Sequence, residues 1–349
     1  MLTLYKSNGS TETIRCDDYY VRELPTGLDE LEFEVSVWDS IYPEIIEESR
    51  IKEQSNVTTA NYYIVKAIDA GTETAKIKCQ VDARELKADM YVHTGFTNTA
   101  NGTTFLEMVQ AAIDLMQIHT WTVVDAMVGT YKTYVDAVSF EGVTPIDFIN
   151  GLLEYFPGCG IRIDAINRRV TAICVPLIIS GVPYVMREVN LREINYKGKS
   201  TEFATRLYPY GKNDLSISSV NAGVPYIDDN TYSSEIVSAY WRDDNYTDPT
   251  SLKTDAIVRL REMSQPQRCY EADVVDLAAA QPDTYPFLTF SLLQPAMLYD
   301  ETRGLRARLT VAERYIYPHH PELNKVIFST SAQRIQSQVA RLRQRNTKV

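Results

Sequence analysis

Metal-ligand residue types crowd together in one place in the sequence, His319-His320-Pro321-Glu322. Neighbouring residues of an extended chain point to opposite faces, so the two imidazoles do not converge on a single ion. A Tyr-Pro-His-His-Pro run reads more simply as a rigid turn linking two strands. The other two histidines, His93 and His119, sit in no HExxH or HxH pattern, and no GxSxG occurs anywhere. Gly198-Lys199-Ser200 has the ending of a phosphate-binding loop, but that motif needs a glycine five residues before Gly198, where Glu193 stands. An exposed basic hairpin turn is the expectation there. Gly211-Lys212 is followed by Asn213 and lacks the metal-binding hydroxyl. The carboxylate pairs Asp228-Asp229 and Asp243-Asp244 lie in turn-like contexts, where Asp is favoured for its local hydrogen bonds. Cys159 and Cys269 have no histidine partner in the pattern. No catalytic, cofactor-binding or metal-ligating residue is assigned.

The five cysteines (Cys16, Cys79, Cys159, Cys174, Cys269) are odd in number, far apart and without a CxxC pair. They are expected to be small buried hydrophobes in a reducing compartment, with no disulfide framework. The 46 acidic residues outnumber the 35 basic ones, giving a net charge of -11, which disfavours a general nucleic-acid binder held by phosphate contacts. With 44% apolar and 23% charged residues, wholesale disorder is excluded. No apolar run approaches the ~20 residues that span a bilayer, and Met1-Leu-Thr-Leu-Tyr5 has no signal-peptide character. Four Asn-x-Ser/Thr sequons, at Asn8, Asn56, Asn101 and Asn245, carry no weight without a secretory signal. Tyrosine is abundant, 23 against 10 phenylalanines, as suits half-wet sheets and protein interfaces. Tyr240-Trp241 is a candidate for stacking on sugar rings.

The elements that must position these residues follow from periodicity. Leu31-Glu-Phe33-Glu-Val35-Ser-Val37 alternates with period two, and Tyr62–Val65 and Ile77–Val81 continue as strands. Twelve acids against four bases in the first fifty residues form a solvated acidic face. After Asn98–Gly102 the pattern turns helical: Thr104 and Glu107 have capping-box spacing, with Phe105, Val109, Ala112 and Met116 behind. A second helix starts at Thr144-Pro145, carries Phe148, Ile149, Leu152, Leu153 and Phe156, and stops at Pro157-Gly158. A hairpin follows, Ile161–Asp164 and Val170–Cys174 with a turn near Asn167. Strands return over 189–196, 205–210 and 288–328, a helix is expected over 251–263, and a basic helix with Ile335, Val339 and Leu342 in line over 332–348.

The order of these segments resembles the N-terminal hub region of phage and prophage tail proteins: the prophage endopeptidase tail, tail-associated lysin or phage minor structural protein family. The resemblance rests on Leu31-Glu-Phe-Glu-Val35, Ile45–Ile51, Tyr62–Val65 and Thr144–Phe156 with its hairpin. Its most specific part is Thr205-Arg-Leu-Tyr-Pro-Tyr-Gly-Lys-Asn-Asp214, similar to the family's Arg-Leu-Tyr-Pro-x-Gly-Lys segment. Val224–Ile227, Leu252–Tyr270 and Tyr315–Val326 follow in family order.

The resemblance implies an α+β, mainly β, baseplate-hub-like fold in which two β-barrel-like tube domains flank a small α+β domain. The implied boundaries are 1–95 for the first tube domain, 96–185 for the α+β domain, 186–330 for the second tube domain with an inserted α+β segment at about 214–286, and 331–349 for a C-terminal helix. It implies a homotrimeric ring at the virion tail tip, made in the bacterial cytoplasm, with DNA passing through an acidic lumen without specific binding. Its implied partners are the distal tail protein, the tape-measure protein and receptor-binding or tail-fibre proteins. No cofactor and no membrane insertion are implied. A structural role is the expectation, with a tail-associated peptidoglycan hydrolase or a carbohydrate-binding attachment module as alternatives. Longer members carry a peptidase or receptor-binding extension, whereas here the last strand lies close to the end of the sequence.

Overall fold

In the computed structural model the described residues are 1–6, 8–55, 59–96, 103–127, 138–153, 155–156, 158–174, 184–186, 190–199, 202–265, 267–274, 283–285, 290–300 and 304–329. The Asn98–Gly102 boundary, Pro157, Ser200 and the helix expected over 332–348 lie outside them.

The N-terminal region contributes β1 (Leu2–Tyr5), β2 (Thr11–Ile14), β3 (Tyr19–Glu23), β4 (Glu30–Ser36), β5 (Arg50–Glu53), β6 (Asn61–Ala70) and β7 (Thr74–Val81). The middle contributes β8 (Tyr91–Phe96), α1 (Phe105–Asp114), β9 (Thr122–Asp125), β10 (Val138–Val143), α2 (Pro145–Leu152), β11 (Cys159–Asp164) and β12 (Arg169–Cys174). The remainder contributes β13 (Tyr184–Met186), β14 (Leu191–Lys199), β15 (Arg206–Tyr210), β16 (Ile227–Asp228), β17 (Ser238–Arg242), α3 (Pro249–Met263), β18 (Gln267–Val274), β19 (Pro295–Asp300), β20 (Leu305–Ile316) and β21 (Lys325–Ser329).

Alternation places Leu31, Phe33 and Val35 of β4 opposite Cys79, Ile77 and Ala75 of β7, all in the core. A one-residue slip would turn this whole set to solvent, which fixes the register. The ladder does not stop at the end of the N-terminal region. It runs β14-β18-β21-β20-β3-β4-β7-β6-β5-β1-β2, with β20 and β3 antiparallel through Arg314↔Glu23, Tyr315↔Arg22 and Ile316↔Val21. Strands from both ends of the sequence share one mixed sheet, and no barrel closes among the described residues. Period-two patterning marks strands but does not say which distant strand each will pair with, and here the two β regions pair with each other.

The helices follow their local signals. Thr104 caps α1: Glu107 N–H donates to Thr104 Oγ1 (3.3 Å) while Thr104 N–H donates to Glu107 Oε2 (2.7 Å). Thr144 caps α2, with Pro145 in its first turn. Phe105, Met108, Val109 and Ala112 of α1 and Phe148, Ile149 and Leu152 of α2 join the same core as the large sheet. Beside them lie the three-stranded sheet β11-β12-β9 and the pair β10-β8. Asn150 of α2 is only 2% exposed, and among the described residues neither its Oδ1 nor its Nδ2 has a hydrogen-bond partner. Burying an unmatched amide is unfavourable, so Asn150→Leu is expected to stabilise the protein by about 1–2 kcal/mol in a denaturant titration.

The segment 202–265 has a core of its own. Leu207, Ile217, Ile227, Leu252, Ala256 and Leu260 pack between α3 and the small sheet β16-β15-β17. β15 therefore pairs within this small sheet and not with the strands of the large sheet. Gly198 and Lys199, expected in a hairpin turn, instead end β14, opposite Arg268 and Gln267 of β18.

The cysteine expectation is also corrected. Cys159 and Cys174 are directly paired on the β11–β12 hairpin, with Cα atoms 4.1 Å apart, and form a disulfide. Antiparallel pairing brings together side chains that are 15 residues apart in sequence. Cys79 is buried and free, its thiol pushed far up by burial, and Cys16 is free and half-buried.

Candidate functional site

The family-like segment 205–214 folds as β15 and the turn after it, and its alternation gives each residue a side. Leu207, Pro209 and Gly211 are buried. A Cβ on Gly211 would lie 2.6 Å from the Tyr246 carbonyl oxygen, so only glycine allows that approach. The opposite side is an aromatic row. Tyr208 packs on Tyr226 (5.2 Å between centroids), and Tyr210 stacks on Tyr240 of the neighbouring strand (5.5 Å, 29° between planes). Arg206 lies 3.8 Å over the Tyr226 ring and makes a two-pronged ion pair with Asp228, at 2.7 and 2.8 Å. Arg242 extends the row between Asp214 (2.7 Å) and Asp244 (3.0 Å). Tyr240 is 63% exposed, and Tyr232, Ile236 and Val237 leading to it are exposed as well. β17, which carries Tyr240, is an edge strand of its sheet. A part-exposed tyrosine row held by arginines, with Tyr240 at its outer edge, has the composition of a protein-contact surface.

Tyr240 and Trp241 do not form one platform. They face opposite sides of β17, with Trp241 turned inward onto Tyr246 (5.5 Å) beneath Arg259 (5.0 Å). Adjacent strand positions separate them, and period-two reading could have said so.

His319 and His320 lie between β20 and β21, in the expected connection. The two rings diverge. His319 meets the Tyr19 ring edge-on at 5.4 Å, while His320 Nε2 lies 3.1 Å from Asp18 and its Nδ1 3.2 Å from Glu322. No cluster of three metal-ligand side chains occurs among the described residues. His119 is exposed. The side chains of His93 and Cys269 lie outside what is described. Asp229 accepts from Thr231 N–H (3.0 Å) and from Ser264 Oγ (2.9 Å), and Asp243 accepts from Asn245 N–H (3.0 Å), both as turn carboxylates.

Sequence reasoning missed the charged seam where β3 meets β20. Glu23, Glu313 and Asp29 are all buried there. Glu23 accepts from Arg314 of β20 (2.7 Å) and from Arg162 of the β11–β12 hairpin (3.4 Å). Arg22 bridges Glu313 (2.9 Å) and Glu30 (2.8 Å) and lies 5.7 Å over the Tyr315 ring. Tyr20 packs between Tyr315 and Tyr317, at 5.4 and 5.3 Å. The paired charges tie together strands about 290 residues apart in sequence. The only sequence signal was acids and arginines inside otherwise alternating strands.

A mainly β chain of mixed sheets, built in this order, has the fold of prophage tail proteins. It is similar to the prophage tail protein gp18 of Listeria monocytogenes EGD-e (13% identity, 97% of this chain and 98% of that one, TM-score 0.62). It is similar also to the 43 kDa tail protein of prophage MuSo2 from Shewanella oneidensis (10% identity, 95% and 98%, TM-score 0.63) and to a tail protein of Neisseria meningitidis MC58 (9% identity, 95% and 95%, TM-score 0.58). In sequence, residues 182–339 match the family described as prophage endopeptidase tail. That match contains the tyrosine row, the strands β18 to β21, and His319 and His320. No curated protein matches the chain.

Proposed function

We propose that the protein is a structural component of a phage or prophage tail tip, a hub ring that continues the tail tube and connects it to host-attachment proteins. The observation that carries this reading is the agreement in fold, over nearly the whole chain, with two prophage tail proteins and a third tail protein. In this reading the strands of regions 1–95 and 186–330 are two similar arcs of one wall, and three copies close a ring of pseudo-sixfold shape. The distal tail, tape-measure and receptor-binding proteins are its neighbours, and DNA passes without specific contacts. The role is non-enzymatic and needs no cofactor.

Light scattering over a wide range of concentrations tests the assembly, with a species of three times 39.7 kDa expected. A monomer throughout would remove self-assembly from the reading. Tyr240→Ala is expected to weaken the association by about tenfold, as for an aromatic anchor. Its circular dichroism and melting should be unchanged, because the ring is mostly exposed.

The word endopeptidase in the family description favours a second reading, a peptidoglycan hydrolase, for which His319 and His320 are the candidates. Clearing of a cell-wall zymogram by the protein, lost in His319→Ala, would replace the structural reading.

A further inference from the structure

We propose that the Cys159–Cys174 pair is a redox latch that sets how firmly the β11–β12 hairpin is docked on the large sheet. The bond joins the first residue of β11 to the last of β12, and so closes the open end of the hairpin rather than its turn. The docking contacts begin at the next residue. A Cβ on Gly160 would fall 2.8 Å from both the Pro25 carbonyl oxygen and Leu293 Cδ1, so this backbone lies flat against the β3–β4 turn. Ile161 N–H donates to the Pro25 carbonyl (2.9 Å), and Arg162 then reaches Glu23. At the far end of β11, Asn61 Nδ2 donates to the Ile163 carbonyl (2.6 Å). The latch therefore sits at the sheet-facing end of the row by which the small α+β layer grips the large sheet.

Strand ends open more readily than strand centres. Without the bond, β11 and β12 can part at residues 159 and 174, and the contacts of Gly160 and Ile161 with Pro25 are the next to open.

The closing reaction needs an oxidant, and a low-molecular-weight disulfide serves. The Cys159 thiolate attacks one of its sulfurs, forming a mixed disulfide and expelling one small thiolate. The Cys174 thiolate then attacks Cys159 Sγ, forming the protein bond and expelling the second. The two protons released by the cysteines end on the two small thiols, and two electrons pass from the protein dithiol to the reagent. Cys159 is the entry point, at 6% exposure against 1% for Cys174. A chain made in a reducing cell interior would carry the latch open, and oxidising surroundings would close it.

The test uses the full chain reduced with dithiothreitol, then transferred stepwise into oxidised glutathione. Peptide mass mapping reports the 159–174 bond separately from Cys16, Cys79 and Cys269, and hydrogen exchange and melting are followed in parallel. The expected result is closure of this bond, at least tenfold slower exchange at Gly160 and Ile161, and a melting temperature higher by about 3–5 °C. The Cys159→Ser/Cys174→Ser variant should match the reduced protein in both buffers. Failure of the bond to close in excess oxidised glutathione would overturn the proposal. So would closure that leaves exchange and melting unchanged. Should the double variant not fold, the wild-type titration alone decides between these results.

Discussion

Glu23→Ala is expected to destabilise the protein by about 3–5 kcal/mol, the cost of removing one partner of a buried ion pair and leaving the other charge uncompensated. Glu23 is almost fully buried, and its carboxylate is held by Arg314 at 2.7 Å and Arg162 at 3.4 Å. Those arginines come from β20 and from the hairpin, so one side chain joins three parts of the fold. Arg314→Ala should cost a similar amount, by exposing the same imbalance from the other side. The double variant should then cost clearly less than the sum, because the second substitution removes a charge already unpaired. Urea titrations of the two single variants and the double variant measure this. Strict additivity would mean that the pair contributes nothing as a pair, and the seam would then be held by its apolar neighbours Val21 and Ile316 alone.

The seam also shows where the sequence was and was not legible. Thr104 with Glu107, Thr144 with Pro145, and the alternation of Leu31 to Val35 each announce an element within a few residues, and each element starts where its signal puts it, although α2 ends at Leu152, short of the stop expected at Pro157-Gly158. These are local effects, and local effects can be read from a single chain. The pairing of β3 with β20 is not local, since hydrophobic alternation is the same whichever strand lies alongside. For that reason two β regions could be seen while their union in one sheet could not. The disulfide is a different kind of omission. A hairpin that turns near residues 166 and 167 puts 161 opposite 172 and 163 opposite 170, and the same count puts 159 opposite 174. The pairing is thus implicit in the hairpin pattern, two residues beyond its apolar pairs. The tyrosine row lies between these cases. The alternation of Arg206, Tyr208 and Tyr210 is visible in the sequence, but Tyr226 and Tyr240 join it through strand pairings the sequence does not state.

Asp29→Asn is expected to remove most of a pH dependence that the wild-type protein shows between about pH 4 and 7. Burial pushes the Asp29 carboxyl up to about 7, and the nearby Glu23 and Glu30 charges push the same way. The Leu24 N–H, which donates to Oδ1 at 2.8 Å, and Arg162 act against them. A carboxyl that binds its proton more tightly when folded favours the folded state most at low pH. Its contribution is complete below the ordinary value near 3.8, declines as pH rises, and is lost once pH passes through about 7. For a fully buried group the whole swing is on the order of 4 kcal/mol. Asparagine keeps an oxygen for the Leu24 N–H and never ionises. The variant should therefore equal the wild type within about 1 kcal/mol at pH 4.5 and exceed it by roughly 2–4 kcal/mol at pH 8. Urea titrations at both pH values compare them. Because Glu23 raises the same carboxyl, Glu23→Gln should move the wild-type decline to lower pH, which a passive core position for Asp29 would not produce. Parallel pH profiles for wild type and Asp29→Asn would show that Asp29 is ionised in the folded protein at neutral pH, held by Arg162 against its burial.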